Sequence, residues 1–382
     1  MKPTIYEELH VRPIINAKGI YSSLGGSVPS PRVWEAMSVA NRTWASMADL
    51  LTASGDVIAR ITGAAAARVT LGASGAIVLG LAACMARGDG LAMERLPETD
   101  GIPNEVLIQR RHRYRYDRLI TLCGARRVEV GDLRGTTIEQ LTAAINESTA
   151  AIFVPAHLDG TDGTVALQDI IELGHDRGIP VFVDAAYLIY PVERIHELSK
   201  SGADLVCFSA KYFGGPNSGG FVVGRPDLIR AVANGDFVSF ELGAHRVLGR
   251  ALKLDRHTVV GVVAALQEWL ETDHKARFEG YRRRVQTIQE HMEGIPYIRL
   301  MPMCFTMEES LESQPVNCLH IQVDPGGRVT PLTIDAALRA GNPAILVHVR
   351  DSALIVDVEV VRDDEAELIG RRLREVFCGA ES

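Results

Sequence analysis

Between residues 56 and 245 the apolar positions switch repeatedly between two spacings. Residues 56–62, 75–85, 137–146 and 167–177 carry Ala, Ile and Leu at helical spacing. Short β-rich runs at 105–109, 127–130, 150–154, 180–183, 205–208 and 220–223 predict strands. Strands alternating with helices predict a mostly parallel sheet covered on both faces, with ligands bound beyond the carboxyl ends of the strands. After Phe240 the texture changes. Residues 246–269 and 275–292 predict long amphipathic helices, and a Pro- and Met-containing stretch, 301–315, leads into strands at 318–323, 344–349 and 353–358 and a closing helix at 364–377. The expected fold is α/β, a large domain over 56–245 with a mostly parallel sheet between helices, plus a smaller α+β domain over 246–382. Residues 1–55 are expected to join the small domain or a dimer contact.

Composition narrows the function classes. A chain of 382 residues suits a large core plus a smaller one, and 47% hydrophobic with 23% charged residues describes an ordinary soluble protein. A net charge of −8 without a long Lys/Arg run argues against a nucleic-acid surface. The basic cluster from Arg110 to Tyr116 is short and could hold a small anion instead. Six cysteines at 84, 123, 207, 304, 318 and 378 show neither metal-ligand nor disulfide spacing, so no metal site is expected. No apolar stretch reads as a signal peptide or a membrane span, and the cytoplasm is the expected compartment.

Two charged residues carry the chemistry. Lys211 follows a strand and enters a turn rich in Ser, Gly and Pro, Ser209-Ala210-Lys211-Tyr212-Phe213-Gly214-Gly215-Pro216, where backbone can pass close to a ligand. Upstream, a buried-looking strand ends on a carboxylate, Val183-Asp184-Ala185-Ala186. Together they suggest pyridoxal 5'-phosphate, whose aldehyde needs a lysine to form a Schiff base and whose ring nitrogen needs a carboxylate.

Other positions fit around this pair. Small residues at Gly72-Ala73-Ser74-Gly75 open a helix, and free amides there bind phosphate; a plain N-cap at Ser74 explains the same pattern. Ser209 could add a phosphate contact. His112 or Tyr116 could stack on the cofactor ring, and His112 can also exchange protons near neutral pH. His157 and Asp159 end another strand and are candidates for cofactor or substrate contact, or form a polar turn. Arg350 could clamp a substrate carboxylate, or pair with Asp351 or another nearby acid.

These residues occur in an order that resembles one group. Arg12-Pro13-Ile14-Ile15-Asn16-Ala17-Lys18-Gly19, Asp49-Leu50, Gly72-Ala73-Ser74-Gly75-Ala76, Asn104-Glu105-Val106 leading to His112, Val183-Asp184-Ala185-Ala186 and Ser209-Ala210-Lys211 with Gly214-Gly215-Pro216 are similar to motifs of fold type I (aspartate-aminotransferase-like) pyridoxal-phosphate enzymes. The branch is that of selenocysteine synthase and D-glucosaminate-6-phosphate ammonia-lyase. The resemblance implies Lys211 as the cofactor-linking lysine, Asp184 as partner of the ring nitrogen, and Ala73, Ser74, Gly75 and Ser209 at the phosphate. It also implies His112 against the ring, Arg350 at the substrate carboxylate, and a homodimer or higher oligomer. The acidic charge, and a start only a few residues before Arg12, argue against the selenium-transferase reading. Gly249-Arg250-Ala251-Leu252-Lys253 keeps only half of a stretch found in the ammonia-lyase branch, which counts against a sugar-phosphate substrate.

The expected reaction is that of a lyase on a small amino-acid substrate. Lys211 takes the Cα proton, a β-substituent leaves, and a 2-oxo acid and ammonia follow. A racemase or epimerase, using His112, His157 or Tyr187 as second acid, and an aldolase are the alternatives. A non-catalytic protein of the same fold would be expected to have lost Lys211 or Asp184.

Overall fold

The computed structural model describes residues 5–243, 246–326 and 329–379. It divides into two compact units, one formed by residues 27–271 and the other by 1–26 with 272–382. These divisions stand beside sequence boundaries expected at 55/56 and 245/246; residue 245 lies outside the described residues.

The larger unit is built on seven strands: β1 (Ala66–Leu71), β2 (Glu105–Gln109), β3 (Arg126–Val130), β4 (Thr149–Pro155), β5 (Val181–Asp184), β6 (Leu205–Ser209) and β7 (Gly219–Gly224). Their order across the sheet is β1-β7-β6-β5-β4-β2-β3. All neighbours are parallel except β7, which runs antiparallel to both β1 and β6. The central strands are buried from end to end, so they read as continuous apolar runs rather than alternating ones. Register brings Pro155 opposite Asp184 and Asp184 opposite Cys207, which levels the carboxyl ends of β4, β5 and β6.

Helices cover both faces. One face carries the helix Gly72–Ala86, here α1, whose residues from Ala76 to Ala86 are all buried. A helix apolar all round can only lie inside a core. Its closeness to the sheet depends on Gly80, where an added Cβ would stand 2.3 Å from the Phe182 ring. The helix Arg256–Glu271, here α2, packs in this unit against the helix Pro31–Arg42. The sequence placed its start ten residues earlier. Instead Gly249 makes an isolated bridge to Asp236 and residues 250–252 form a short 3-10 turn, so the chain is held against the sheet unit before the helix begins.

The smaller unit holds a five-stranded antiparallel sheet in the order Leu311–Glu312, Ile298–Phe305, Cys318–Val323, Ala353–Asp357, His348–Arg350. The expected strand 344–349 is two pieces, and Ala344–Leu346 pairs in parallel with Ile14–Asn16 instead. Ile298–Phe305 forms a strand through Pro302 and so reaches into the stretch 301–315 expected to lead up to the strands. Residues 298–303 have a strand neighbour on one side only, so the missing proline N–H interrupts no central ladder. Helices His274–Met292, Pro331–Ala340 and Asp363–Gly379 belong to this unit.

Candidate active site

Asp184 is the last residue of β5, and Lys211 sits in the 3-10 turn Ala210–Phe213 that follows β6, closed by Gly214 at φ +78°. Neighbouring parallel strands thus deliver a carboxylate and an amine to the same edge of the sheet, where the polar ends of strands in such sheets gather. Both are buried, Lys211 being 8% exposed. Burial disfavours the ammonium form and lowers the Lys211 pKa below the ordinary 10.5.

Asp184 accepts hydrogen bonds from the Ala186 amide at 3.0 Å and Cys207 Sγ at 3.6 Å, both on Oδ1, and from Tyr114 Oη on Oδ2. A carboxylate offers about four lone-pair sites. Three have donors among the described residues, which leaves one site on Oδ2. The phenol of Tyr114 is deeply buried against this carboxylate, and desolvation with the adjacent negative charge pushes its pKa far up.

Rings connect the carboxylate to the amine. Tyr114 meets His157 at 5.2 Å, His157 meets Tyr187 at 5.3 Å, Tyr187 meets Tyr212 at 5.9 Å, and Lys211 Nζ lies 4.6 Å from the Tyr212 ring centroid. Such contacts exclude water while leaving π-faces and polar tips available.

The candidate phosphate end is also assembled at this edge. Ser209 is opposite Gly220 in the sheet register, and Gly220 abuts Gly72, where an added Cβ would stand 2.5 Å from the Gly72 carbonyl carbon. Gly72 adopts φ +63° and starts α1, so Ala73, Ser74 and Gly75 supply the first-turn amides. Ser74 lies inside the helix and is not its N-cap; that position is Leu71, which makes no side-chain cap. Uncapped amides at the start of a 15-residue helix suit an anion.

The remaining candidates separate. His112 is wholly buried, its Nδ1 3.3 Å from Gln109 Nε2. Gln109 Oε1 accepts from the Val165 amide and Gln109 Nε2 donates to the Val165 carbonyl, which orients the amide to donate to Nδ1 and leaves the His112 proton on Nε2. Burial lowers the His112 pKa, opposed by the charge of Asp159 and an interaction with the Leu158 backbone. Asp159 spends Oδ1 on the Leu167 amide at 2.9 Å, at the start of the helix Leu167–Arg177. Two arginines of the basic cluster are committed internally: Arg110 and Arg113 pair with Glu129, and Arg113, with Arg127 of β3, pairs with Asp117; Arg111 reaches the Arg134 carbonyl and Arg115 lies over the Tyr116 ring. Tyr116 is 49% exposed. Arg350, in the smaller unit, donates to the Glu309 carboxylate and carbonyl rather than to Asp351.

Sequence reading missed Tyr114 and Cys207 as partners of Asp184. The only signal was two tyrosines alternating with arginines after β2, and position alone did not say which one faces inward.

The residues fit pyridoxal 5'-phosphate on the chemistry of their donors: a buried amine of lowered pKa, a carboxylate with one open acceptor site, and uncapped helix amides.

Comparison with known proteins extends over the whole chain. The family profile described as "SelA: L-seryl-tRNA selenium transferase" matches residues 45–289. The chain is 30% identical to a 5'-C-glycyluridine monooxygenase-decarboxylase of a Streptomyces species, covering 97% of this chain and 92% of the relative. It is 29% identical to the D-glucosaminate-6-phosphate ammonia lyase of Salmonella typhimurium, covering 98% of each. A solved structure of D-glucosaminate-6-phosphate ammonia-lyase superposes with a TM-score of 0.86 at 28% identity, covering both chains completely. Among the described residues, no helix is long and apolar enough to cross a membrane.

Proposed function

The chain belongs to the SelA family of pyridoxal-phosphate-dependent enzymes, and from that premise we propose that it is an ammonia lyase acting on an amino acid with a leaving group, such as a hydroxyl, on Cβ. The products are a 2-oxo acid and ammonia. The observation that carries this reading is the position of Lys211 and Asp184 at the carboxyl ends of neighbouring strands, linked by ring contacts through Tyr114, His157, Tyr187 and Tyr212.

When bound, pyridoxal 5'-phosphate supplies an electrophilic aldehyde and an electron-accepting ring. Lys211 Nζ, shifted by burial toward the neutral amine, takes the Cα proton. Asp184, with an open acceptor site on Oδ2, would hold the cofactor's ring nitrogen. First-turn amides of Ala73, Ser74 and Gly75, with Ser209, would hold the phosphate. In this reading His112 lies against the cofactor ring and is a candidate for proton exchange there, its charge disfavoured by burial. The enzyme works in the cytoplasm as a homodimer or higher oligomer on a small-molecule substrate.

The test is a visible absorbance spectrum of the wild type and Lys211→Ala, before and after borohydride reduction, followed by a screen of D- and L-amino acids. The expected results are a yellow wild type fixed by reduction at Lys211, and paired release of ammonia and 2-oxo acid. A colourless wild type that pyridoxal phosphate cannot reconstitute would sink the site. Inverted amino acid without ammonia would replace the lyase with a racemase.

A further inference from the structure

Tyr114 has an anchored backbone and a single polar contact for its side chain. Its amide donates to Asp117 Oδ2 at 3.1 Å, and buried Asp117 is held in turn by Arg113 and by Arg127, the latter at 2.9 Å. Arg113 continues to Glu129 on β3, as does Arg110. A charge network therefore braces the turn after β2 before the phenol is placed. The ring stands edge-on to His157 at 5.2 Å and Tyr116 at 5.9 Å, and stacks near Phe153 at 6.5 Å. From that cage Oη reaches, among the described residues, only Asp184 Oδ2.

We propose that Tyr114 is a positioning residue for Asp184: its hydroxyl fills one site on Oδ2 and keeps the carboxylate as acceptor, rather than owner, of the cofactor's ring-nitrogen proton. This rests on the reading of Asp184 as partner of that nitrogen. A carboxylate stripped of a donor holds a proton more tightly, because its charged form has lost a stabilising hydrogen bond. It also regains freedom to turn, since Oδ2 then has no fixed partner. The other titratable groups around the pair are Cys207, Asp117, His157 and Tyr116.

The test compares wild type, Tyr114→Phe and Tyr114→Leu, each loaded with pyridoxal phosphate isotopically labelled at the ring nitrogen and read by NMR. In Tyr114→Phe the nitrogen resonance is expected to move toward the unprotonated value, with kcat falling about ten-fold, the loss typical of one hydrogen bond to a charged group. Tyr114→Leu should show the same displacement. A Tyr114→Phe resonance identical to the wild type would overturn the proposal, as would a displacement confined to Tyr114→Leu, which would assign the effect to ring packing. Tighter cofactor uptake by Tyr114→Phe with an unmoved resonance would also overturn it, since the phenol would then merely fill the cofactor's place in its absence. If neither variant folds, Cys207→Ala removes a donor from the same carboxylate and must move the resonance the same way; an unmoved signal counts against the proposal. Wild type without bound cofactor would sink the site itself, whereas a normal displacement without ammonia release would sink only the lyase reaction.

Discussion

Lys211 shows how much a single buried amine changes. Because burial disfavours the ammonium, the side chain gives up its proton at lower pH than an exposed lysine. Capture of pyridoxal phosphate by the apoprotein should therefore rise with pH along a titration whose midpoint lies below 10.5. Rapid-mixing absorbance across that range checks it, and a midpoint at or above the ordinary lysine value contradicts it. Asp184 offers a second residue-scale test. Replacing it by Asn puts a donor where the site needs acceptors, so turnover is expected to fall about a hundred-fold or more, the size typical of losing one preorganised electrostatic contact. Steady-state kinetics on the cofactor-loaded variant decide the matter. Both residues were legible in sequence, since a lysine in a glycine-rich turn after one strand and an acid ending another have few shared structural uses. Tyr114 was not, because which ring of the pair Tyr114 and Tyr116 turns inward is set by the network around Asp117.

Among the elements, edge strand β1 is tied to the rest of its unit by an ion pair. Arg68 donates through Nε at 3.0 Å and a terminal nitrogen at 2.5 Å to Asp236 Oδ2, and both residues are buried. Asp236 Oδ1 meanwhile caps the helix Phe237–Glu241 through the Val238 and Ser239 amides. Removing the cation leaves a buried charge without its partner, so Arg68→Ala is expected to cost about 3–5 kcal/mol in denaturant unfolding. An apolar double replacement, Arg68→Met with Asp236→Leu, should recover part of the ion-pair loss and keep the cost of the missing cap. Most elements were visible from apolar periodicity alone. The helices Pro31–Arg42, Glu193–Ser199, Pro226–Asn234 and Pro331–Ala340 were not read from it, nor were the start of α2 and the strand through Pro302, which a bridge at Gly249 and a one-sided strand neighbour decided.

At the scale of the whole molecule, the larger unit exposes aromatic surface that a lone chain gains nothing by showing to water. Trp34 is 62% exposed and Trp44 85%, with Trp44 covered on one face only by the Arg256 guanidinium at 4.0 Å. Exposed aromatic side chains of this kind are enriched where proteins associate. Sedimentation of the cofactor-loaded protein should give a dimer or larger species, and Trp34→Glu should shift it toward monomer without changing the far-ultraviolet circular dichroism. A wild type that sediments as a monomer would remove the proposed assembly.

The alternation of strand and helix periods, the runs of apolar residues and the order of the small motifs were enough to determine an α/β enzyme and to put Lys211 and Asp184 forward, at strand ends, as its proposed centre. Those properties are local: a period of two or of 3.6 residues, a glycine turn and a charged strand end are each written in consecutive residues. Tertiary structure decided the rest. It chose Tyr114 over Tyr116, drew Cys207 onto Asp184, spent Arg110 and Arg113 on Glu129 and Asp117, and gave Arg350 to Glu309. Those choices depend on register between strands far apart in the chain and on which charges meet once water is excluded, neither of which a stretch of sequence contains.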